Sequence, residues 1–193
     1  MRLLIIGHSY VSELSNSGLK SFDTEGELVT VRYICRSGGT YDKFLTEPGL
    51  FERIENEEKP DYILVILAGN SISNNTTNEE IHSSARAFYN RLRESFPDSK
   101  IIATQAEKRF YKPGNRWNCP TETEYTRRRD QFNRFLHKAT FKDHLLMIAG
   151  TGRLDNRYYY KTDGVHLNSQ GLQFFIQTIM SLMNYLIMSK RTS

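Results

Sequence analysis

Residues 3–10 read Leu-Leu-Ile-Ile-Gly-His-Ser-Tyr, an apolar run that ends abruptly in glycine and polar side chains. A short, continuous aliphatic run is typical of a strand that is buried on both faces of a parallel sheet. Similar runs recur along the chain, and we predict five strands, at residues 3–6, 28–34, 62–67, 101–104 and 145–149.

Longer segments with apolar residues at helical spacing separate these strands. We predict helices at residues 41–54, 78–95, 123–138 and 169–188. Residues 70–78, rich in Ser, Asn and Thr, indicate an irregular segment. Alternating strands and helices predict an α/β fold, in which helices cover both faces of a mainly parallel sheet.

The chain has 193 residues, of which 38% are hydrophobic, enough to bury one sizeable core. We therefore expect a single domain over residues 1–188 and a short basic tail at 189–193. No apolar run approaches the ~18 residues of a membrane span, and residues 3–6 are too few for a signal-peptide core. These features predict an intracellular, cytoplasmic protein without a membrane span.

The two cysteines and the net charge give little indication of a metal site or of a nucleic-acid partner. Cys35 and Cys119 lack the spacing of metal ligands, so we expect reduced thiols and neither a metal nor another cofactor. The net charge of +4 is a mild excess that solubility explains. The basic run Arg127-Arg128-Arg129 is more typical of a solvated helix face than of a nucleic-acid surface.

Glycine and polar residues follow three predicted strands, in Gly7-His8-Ser9, Ser37-Gly38-Gly39 and Gly69-Asn70-Ser71. In open α/β sheets, ligands bind outside the carboxyl ends of the strands. We therefore expect these three segments to meet at one edge of the sheet and to form a candidate site there.

Ser9 and the downstream pair Asp163 and His166 predict a nucleophile, its base and an orienting carboxylate. A serine hydroxyl is a weak nucleophile at neutral pH and needs a nearby imidazole to accept its proton. Simpler interpretations compete: Ser9 caps the following helix, and Asp163-Gly164 forms a common turn. Gly38-Gly39 also fits a turn that needs positive φ, and Asn70 fits an ordinary loop.

Taken in order, these motifs resemble the blocks of the SGNH (GDSL-type) hydrolase family. By that resemblance, Ser9 matches the nucleophile block, Gly38 the glycine block, Asn70 the asparagine block, and Asp163 with His166 the Asp-x-x-His block. The resemblance covers nearly the whole chain and implies a flavodoxin-like, three-layer α/β/α sandwich. It extends to the esterase-like modules of some retroelement open reading frames.

The resemblance also implies roles for the residues of the candidate site. The backbone N–H groups of Ser9 and Gly38 and the side-chain amide of Asn70 would form an oxyanion hole. We further expect His8, Gly39 and Val165 to contact the substrate.

Two positions depart from the family's pattern, because His8 and Ser71 stand where the family usually has aspartate. Both departures affect how Ser9 and Asn70 are oriented, and neither removes a member of the catalytic triad.

The sequence thus predicts a serine esterase that hydrolyses a small-molecule, lipid or carbohydrate ester, with small O-acetyl groups favoured as the acyl part. The same triad also permits acyl transfer to an acceptor other than water. The alternative is a catalytically weak or inactive scaffold that binds RNA or single-stranded DNA, motivated by His8 and a sequence pI near 9.0.

Overall fold

A computed structural model describes residues 1–73, 76–110, 121–143, 146–150 and 154–191. Within them, one sheet contains six strands: β1 Arg2–Gly7, β2 Ser21–Thr24, β3 Glu27–Cys35, β4 Tyr62–Ile66, β5 Lys100–Thr104 and β6 Leu146–Ala149. Their order across the sheet is β2-β3-β1-β4-β5-β6, and every neighbouring pair is parallel except β2 and β3. The five parallel strands have the flavodoxin-like order 2-1-3-4-5. This confirms the predicted α/β class and its five parallel strands.

The sixth strand, β2, is an antiparallel edge strand that the sequence analysis missed. It pairs with β3 from Ser21 opposite Thr30 to Thr24 opposite Glu27. A tight turn joins the two strands through Glu25 and Gly26, which both have positive φ. Because β2 is only four residues long and alternates between exposed and buried positions, it lacks the continuous apolar run that identifies the other strands.

Helices cover both faces of the sheet: α1 Ser9–Asn16, α2 Tyr41–Thr46, α3 Leu50–Glu55, α4 Ala68–Ser73, α5 Asn78–Ser95, α6 Glu122–Asp143 and α7 Ser169–Arg191. One core cluster packs the sheet against α1 and α7, and it includes Leu3, Ile5, Tyr10 and Phe175. The other packs the opposite face against α2 to α6. The two clusters confirm the three-layer arrangement.

Three predictions about the segments between and after the strands need correction. The segment 41–54 forms two helices, because Pro48 and Gly49, with a φ of +77°, interrupt the chain between α2 and α3. The segment predicted as irregular from residue 70 begins inside α4. The last helix continues to Arg191, so residues 189–191 are helical rather than part of a tail.

Among the described residues, one helix, α7, is long and apolar enough to cross a membrane by length and composition. Its buried side chains are spaced as a helix packing on a sheet requires, at Phe175, Ile179, Met183 and Leu186. All four belong to the core cluster beneath α1 and α7. The apolar composition of α7 is therefore explained by packing inside the fold.

This packing predicts a large difference between two substitutions in α7. Ile179→Ala should lower the free energy of unfolding by about 3 kcal/mol, because it leaves a cavity between α7 and the sheet. Met188→Ala, at an exposed position of the same helix, should change it by less than about 0.5 kcal/mol. Urea unfolding of both variants would measure the difference, and equal effects would contradict the packing of α7.

Candidate active site

The end of β1 packs closely against β3 and β4, and Ser9 lies two residues beyond it. Gly7 pairs with Cys35 of β3 and with Ile66 of β4. A Cβ atom on Gly7 would lie 2.5 Å from the Ile66 carbonyl oxygen and 2.5 Å from Val11 Cγ2, so only glycine fits. Ser9 is consequently fixed as the first residue of α1, at the carboxyl edge of the sheet.

His8, rather than Ser9, caps α1. The Tyr10 backbone N–H donates to His8 Nδ1 at 3.4 Å, and His8 has the extended backbone of a cap residue. The competing interpretation of Ser9 as the cap is therefore wrong. The Ser9 side chain is half-buried at the first turn of the helix.

Gly38 and Gly39 form the turn between β3 and α2. Gly38 has a φ of +66°, and Lys43 Nζ donates to its carbonyl oxygen at 3.1 Å. The Gly39 backbone N–H donates to Arg36 O at 2.8 Å, and a Cβ atom on Gly39 would lie 2.7 Å from that oxygen. Both glycines are required by the backbone, which does not conflict with the predicted role of the Gly38 N–H group.

Asn70 lies in the first turn of α4, just beyond the end of β4. Its Oδ1 atom accepts a hydrogen bond of 2.8 Å from Arg109 Nη2. The next residue, Ser71, is buried, and its Oγ atom accepts from the Tyr41 backbone N–H at 3.3 Å. Ser71 therefore connects the segment that carries Gly38 with the one that carries Asn70.

Asp163 and His166 form a hydrogen-bonded pair on one turn. His166 Nδ1 lies 2.7 Å from Asp163 Oδ2, and Asp163 Oδ1 accepts from the backbone N–H groups of Val165 and His166 at 2.8 and 2.9 Å. Burial opposes it, but these hydrogen bonds hold the pKa of the Asp163 carboxyl below its usual value. An ionised Asp163 is a hydrogen-bond acceptor, so it favours a proton on His166 Nδ1.

A buried hydrogen bond joins the Ser9 segment to the His166 segment. Tyr10 is fully buried, and its hydroxyl donates to the Val165 carbonyl oxygen at 2.5 Å. Each of these residues is the chain neighbour of a predicted triad member. The fold thus brings the chain neighbours of Ser9 and His166 into direct contact.

Two buried charged residues that the sequence analysis did not select lie beneath these motifs. Glu107 and Arg109 follow β5, and both are at most 3% exposed. Glu107 Oε1 lies 3.6 Å from His8 Nε2. The position of Glu107 and Arg109 shortly after a buried strand is the one sequence signal that could have indicated burial. Among the residues that the structure describes, no three His, Cys, Asp or Glu side chains cluster as a metal ion would require.

The family model of the GDSL-like lipases and acylhydrolases matches residues 20–174, which is most of the chain. The chain belongs to this family. Gly38, Asn70, Asp163 and His166 lie inside the matched residues, and Ser9 precedes them. Membership makes this GDSL-like chain a serine esterase or acylhydrolase of the SGNH type. No curated protein matches it significantly.

Solved structures share the fold of this GDSL-like chain at low sequence identity. A carbohydrate esterase of family 3 from Talaromyces cellulolyticus is 17% identical, with a TM-score of 0.66 over 98% of this chain and 99% of that one. An acetyl-xylooligosaccharide esterase from Geobacillus is 14% identical, with a TM-score of 0.65 over 93% and 92%. An acetyl esterase variant solved with an acetate ion is 16% identical, with a TM-score of 0.64 over the full length of both chains.

The departure at His8 is explained by the buried charges. Burial lowers the pKa of His8 in spite of the Glu107 carboxylate beside it. Burial would raise the pKa of Glu107, but the nearby His8 and Arg109 outweigh it and lower that pKa. We infer a neutral His8 and an ionised Glu107. The fully buried His8 side chain contacts Glu107, which does not fit the predicted contact with substrate.

The basic run on α6 makes contacts within the protein. Arg127 pairs with Glu124 at 2.7 Å, and Arg129 pairs with Asp130 at 2.7 Å. Arg128 is buried, and its guanidinium donates to Asn78 and to the Thr76 carbonyl oxygen. The run is therefore largely engaged in structural contacts, and the nucleic-acid alternative gains no support.

The lowered pKa of Asp163 predicts a pH-dependent contribution to stability. A carboxyl whose pKa is lower in the folded state stabilises the fold above its unfolded pKa, and this stability is lost as the pH falls through the folded pKa. The free energy of unfolding of the wild type should exceed that of Asp163→Asn at pH 7. This gap should narrow between about pH 5 and pH 2. Urea unfolding at several pH values would test it, with the exposed Asp155→Asn as the control, and a gap independent of pH would contradict it.

The buried hydrogen bond of Tyr10 predicts a coupled loss of stability and activity. Tyr10→Phe should lower the free energy of unfolding by about 1 kcal/mol, because the Val165 carbonyl loses its donor. It should also lower kcat about tenfold or more, since the triad segments lose their fixed relative position. Ester hydrolysis and thermal unfolding would be measured beside Tyr185→Phe at an exposed position. Unchanged kcat would show that this bond does not align the triad.

Proposed function

We propose that the chain hydrolyses carboxylic esters through a covalent acyl-enzyme on Ser9, and that the acyl group is small, with O-acetyl favoured. The observation that carries this proposal is the Asp163–His166 pair, whose 2.7 Å hydrogen bond leaves His166 Nε2 available beside the Ser9 segment. The acetyl esterases among the similar structures motivate the choice of acyl group.

In the proposed acylation step, Ser9 Oγ attacks the ester carbonyl carbon while His166 Nε2 takes the hydroxyl proton. The carbonyl oxygen becomes an oxyanion that accepts hydrogen bonds from the Ser9 and Gly38 backbone N–H groups and the Asn70 amide. Donors of this kind are worth about 3 kcal/mol each in the transition state. The intermediate then expels the alcohol, which takes the proton from His166.

In the proposed deacylation step, a water molecule attacks the acyl-Ser9 ester. His166 accepts a proton from this water and returns it to Ser9 Oγ as the carboxylic acid leaves. Asp163 stays ionised throughout and stabilises the imidazolium that forms in each half-reaction. Its three hydrogen bonds suit this role, since they favour the charged carboxylate.

The proposal predicts serine-dependent hydrolysis with a preference for short acyl chains. Ser9→Ala and His166→Ala should each lower kcat on p-nitrophenyl acetate by about 10³-fold or more, because each removes a member of the triad. Ser15→Ala, an exposed serine on the same helix, is the matched control and should leave the rate unchanged. Hydrolysis would be followed with acetate, butyrate and octanoate esters.

Two further outcomes decide the finer parts of the proposal. An organophosphonate should block the wild type and label Ser9, which mass spectrometry of the modified peptide would show. Wild-type turnover by Ser9→Ala would overturn the nucleophile. Octanoate hydrolysed faster than acetate would overturn the small acyl group while leaving the nucleophile intact.

A further inference from the structure

The buried side chain of Arg109 forms two hydrogen bonds with α4, the helix that carries Asn70. Its Nη2 group donates to Asn70 Oδ1 at 2.8 Å, and its Nη1 group donates to Ser73 Oγ at 2.7 Å. The two acceptors lie three residues apart, on one face of the helix. With only 3% exposure, the guanidinium makes these bonds away from water, where their geometry is well defined.

The chemistry of a guanidinium decides which end of the Asn70 amide faces it. An arginine side chain has only donors, whereas an asparagine amide has an oxygen that accepts and a nitrogen that donates. Reversing the amide would place its NH₂ group against the guanidinium and lose the hydrogen bond. Arg109 therefore fixes the oxygen on its own side and turns the Asn70 N–H groups away from itself.

The neighbouring residues hold Arg109 in this position. A Cβ atom on Gly69 would lie 2.6 Å from Arg109 Nη2 and 3.0 Å from Glu107 Oε2, so both side chains rest on the backbone of Gly69. The ionised Glu107 also supplies a negative charge near the buried guanidinium. The aromatic ring of Tyr125 lies 5.6 Å from the guanidinium carbon.

We propose that Arg109 is a positioning residue that aims the Asn70 amide N–H at the oxyanion of the transition state. This inference rests on the proposed function, because it assumes that Asn70 is an oxyanion donor. Arg109 itself acts only through Asn70. The network of Glu107 and Gly69 serves the reaction by keeping the guanidinium in place.

A double-mutant cycle on ester hydrolysis tests this inference. Asn70→Ala should lower kcat by about 100-fold with little change in KM, as expected for one oxyanion donor. Arg109→Met, which removes the donors but keeps an apolar stem, should lower kcat by at least tenfold, also with little change in KM. In the Asn70→Ala background, Arg109→Met should cause less than a twofold further loss.

Arg127→Met is the matched control, because Arg127 is an exposed arginine that pairs with Glu124. It should leave kcat and KM unchanged. Arg109→Lys keeps the positive charge but loses the fixed fork of donors, so it should fall between the wild type and Arg109→Met. If Arg109→Met fails to fold, as judged by circular dichroism and thermal unfolding, the same cycle is run with Arg109→Lys.

Additive losses in the cycle, with Ser9 dependence intact, would overturn the inference and assign Arg109 a general structural role. Wild-type turnover by Ser9→Ala would instead overturn the proposed function, so the two failures are distinguishable. A readout independent of activity is the NMR signal of the Asn70 side-chain amide, assigned by its loss in Asn70→Ala. It should shift or broaden in Arg109→Met and not in Arg127→Met, and an unchanged signal in Arg109→Met would also overturn the inference.

Discussion

The parallel pairing of β1 with β3 on one side and β4 on the other is the constraint on which the candidate site depends. This register places Gly7 opposite Cys35 and Ile66, so three chain segments leave the sheet at the same level. The segments carry Ser9, Gly38 and Asn70. The space at this junction is so small that a single methyl group on Gly7 would collide with the backbone of β4.

The fourth motif reaches the same edge by tertiary contacts rather than by strand pairing. Its loop is held by the Tyr10 hydroxyl, and by two close contacts of Gly164 with Phe110. Gly164 has a φ of +72°, and a Cβ atom there would lie 1.7 Å from the Phe110 carbonyl oxygen. The Asp163-Gly164 turn predicted from the sequence is therefore real and also places the Asp163–His166 pair.

Two charged side chains, Glu107 and Arg109, are buried beneath the site. Transferring an ion into the protein interior costs several kcal/mol unless it is paired and hydrogen-bonded. Arg109 meets part of this requirement through its hydrogen bonds to Asn70 and Ser73, and Glu107 lies 3.6 Å from His8 and near the charge of Arg109. His8, one of the two positions at which the family's usual pattern has aspartate, belongs to this cluster.

The sequence by itself determined the five parallel strands and the order of the four motifs, because apolar runs and glycine-polar strand ends are local properties of the chain. It also contained the break at Pro48 and Gly49, which the periodicity of the flanking apolar residues concealed. The edge strand β2 was not recognisable from the sequence, because it has no continuous apolar run. Its hydrogen bonds to β3 define it as a strand. Only the tertiary structure decided that His8 caps the helix and that Glu107 and Arg109 are buried against residues 99 and 39 positions away. Whether a charged side chain meets water or a partner depends on which segments pack around it, and no local pattern of residues specifies that.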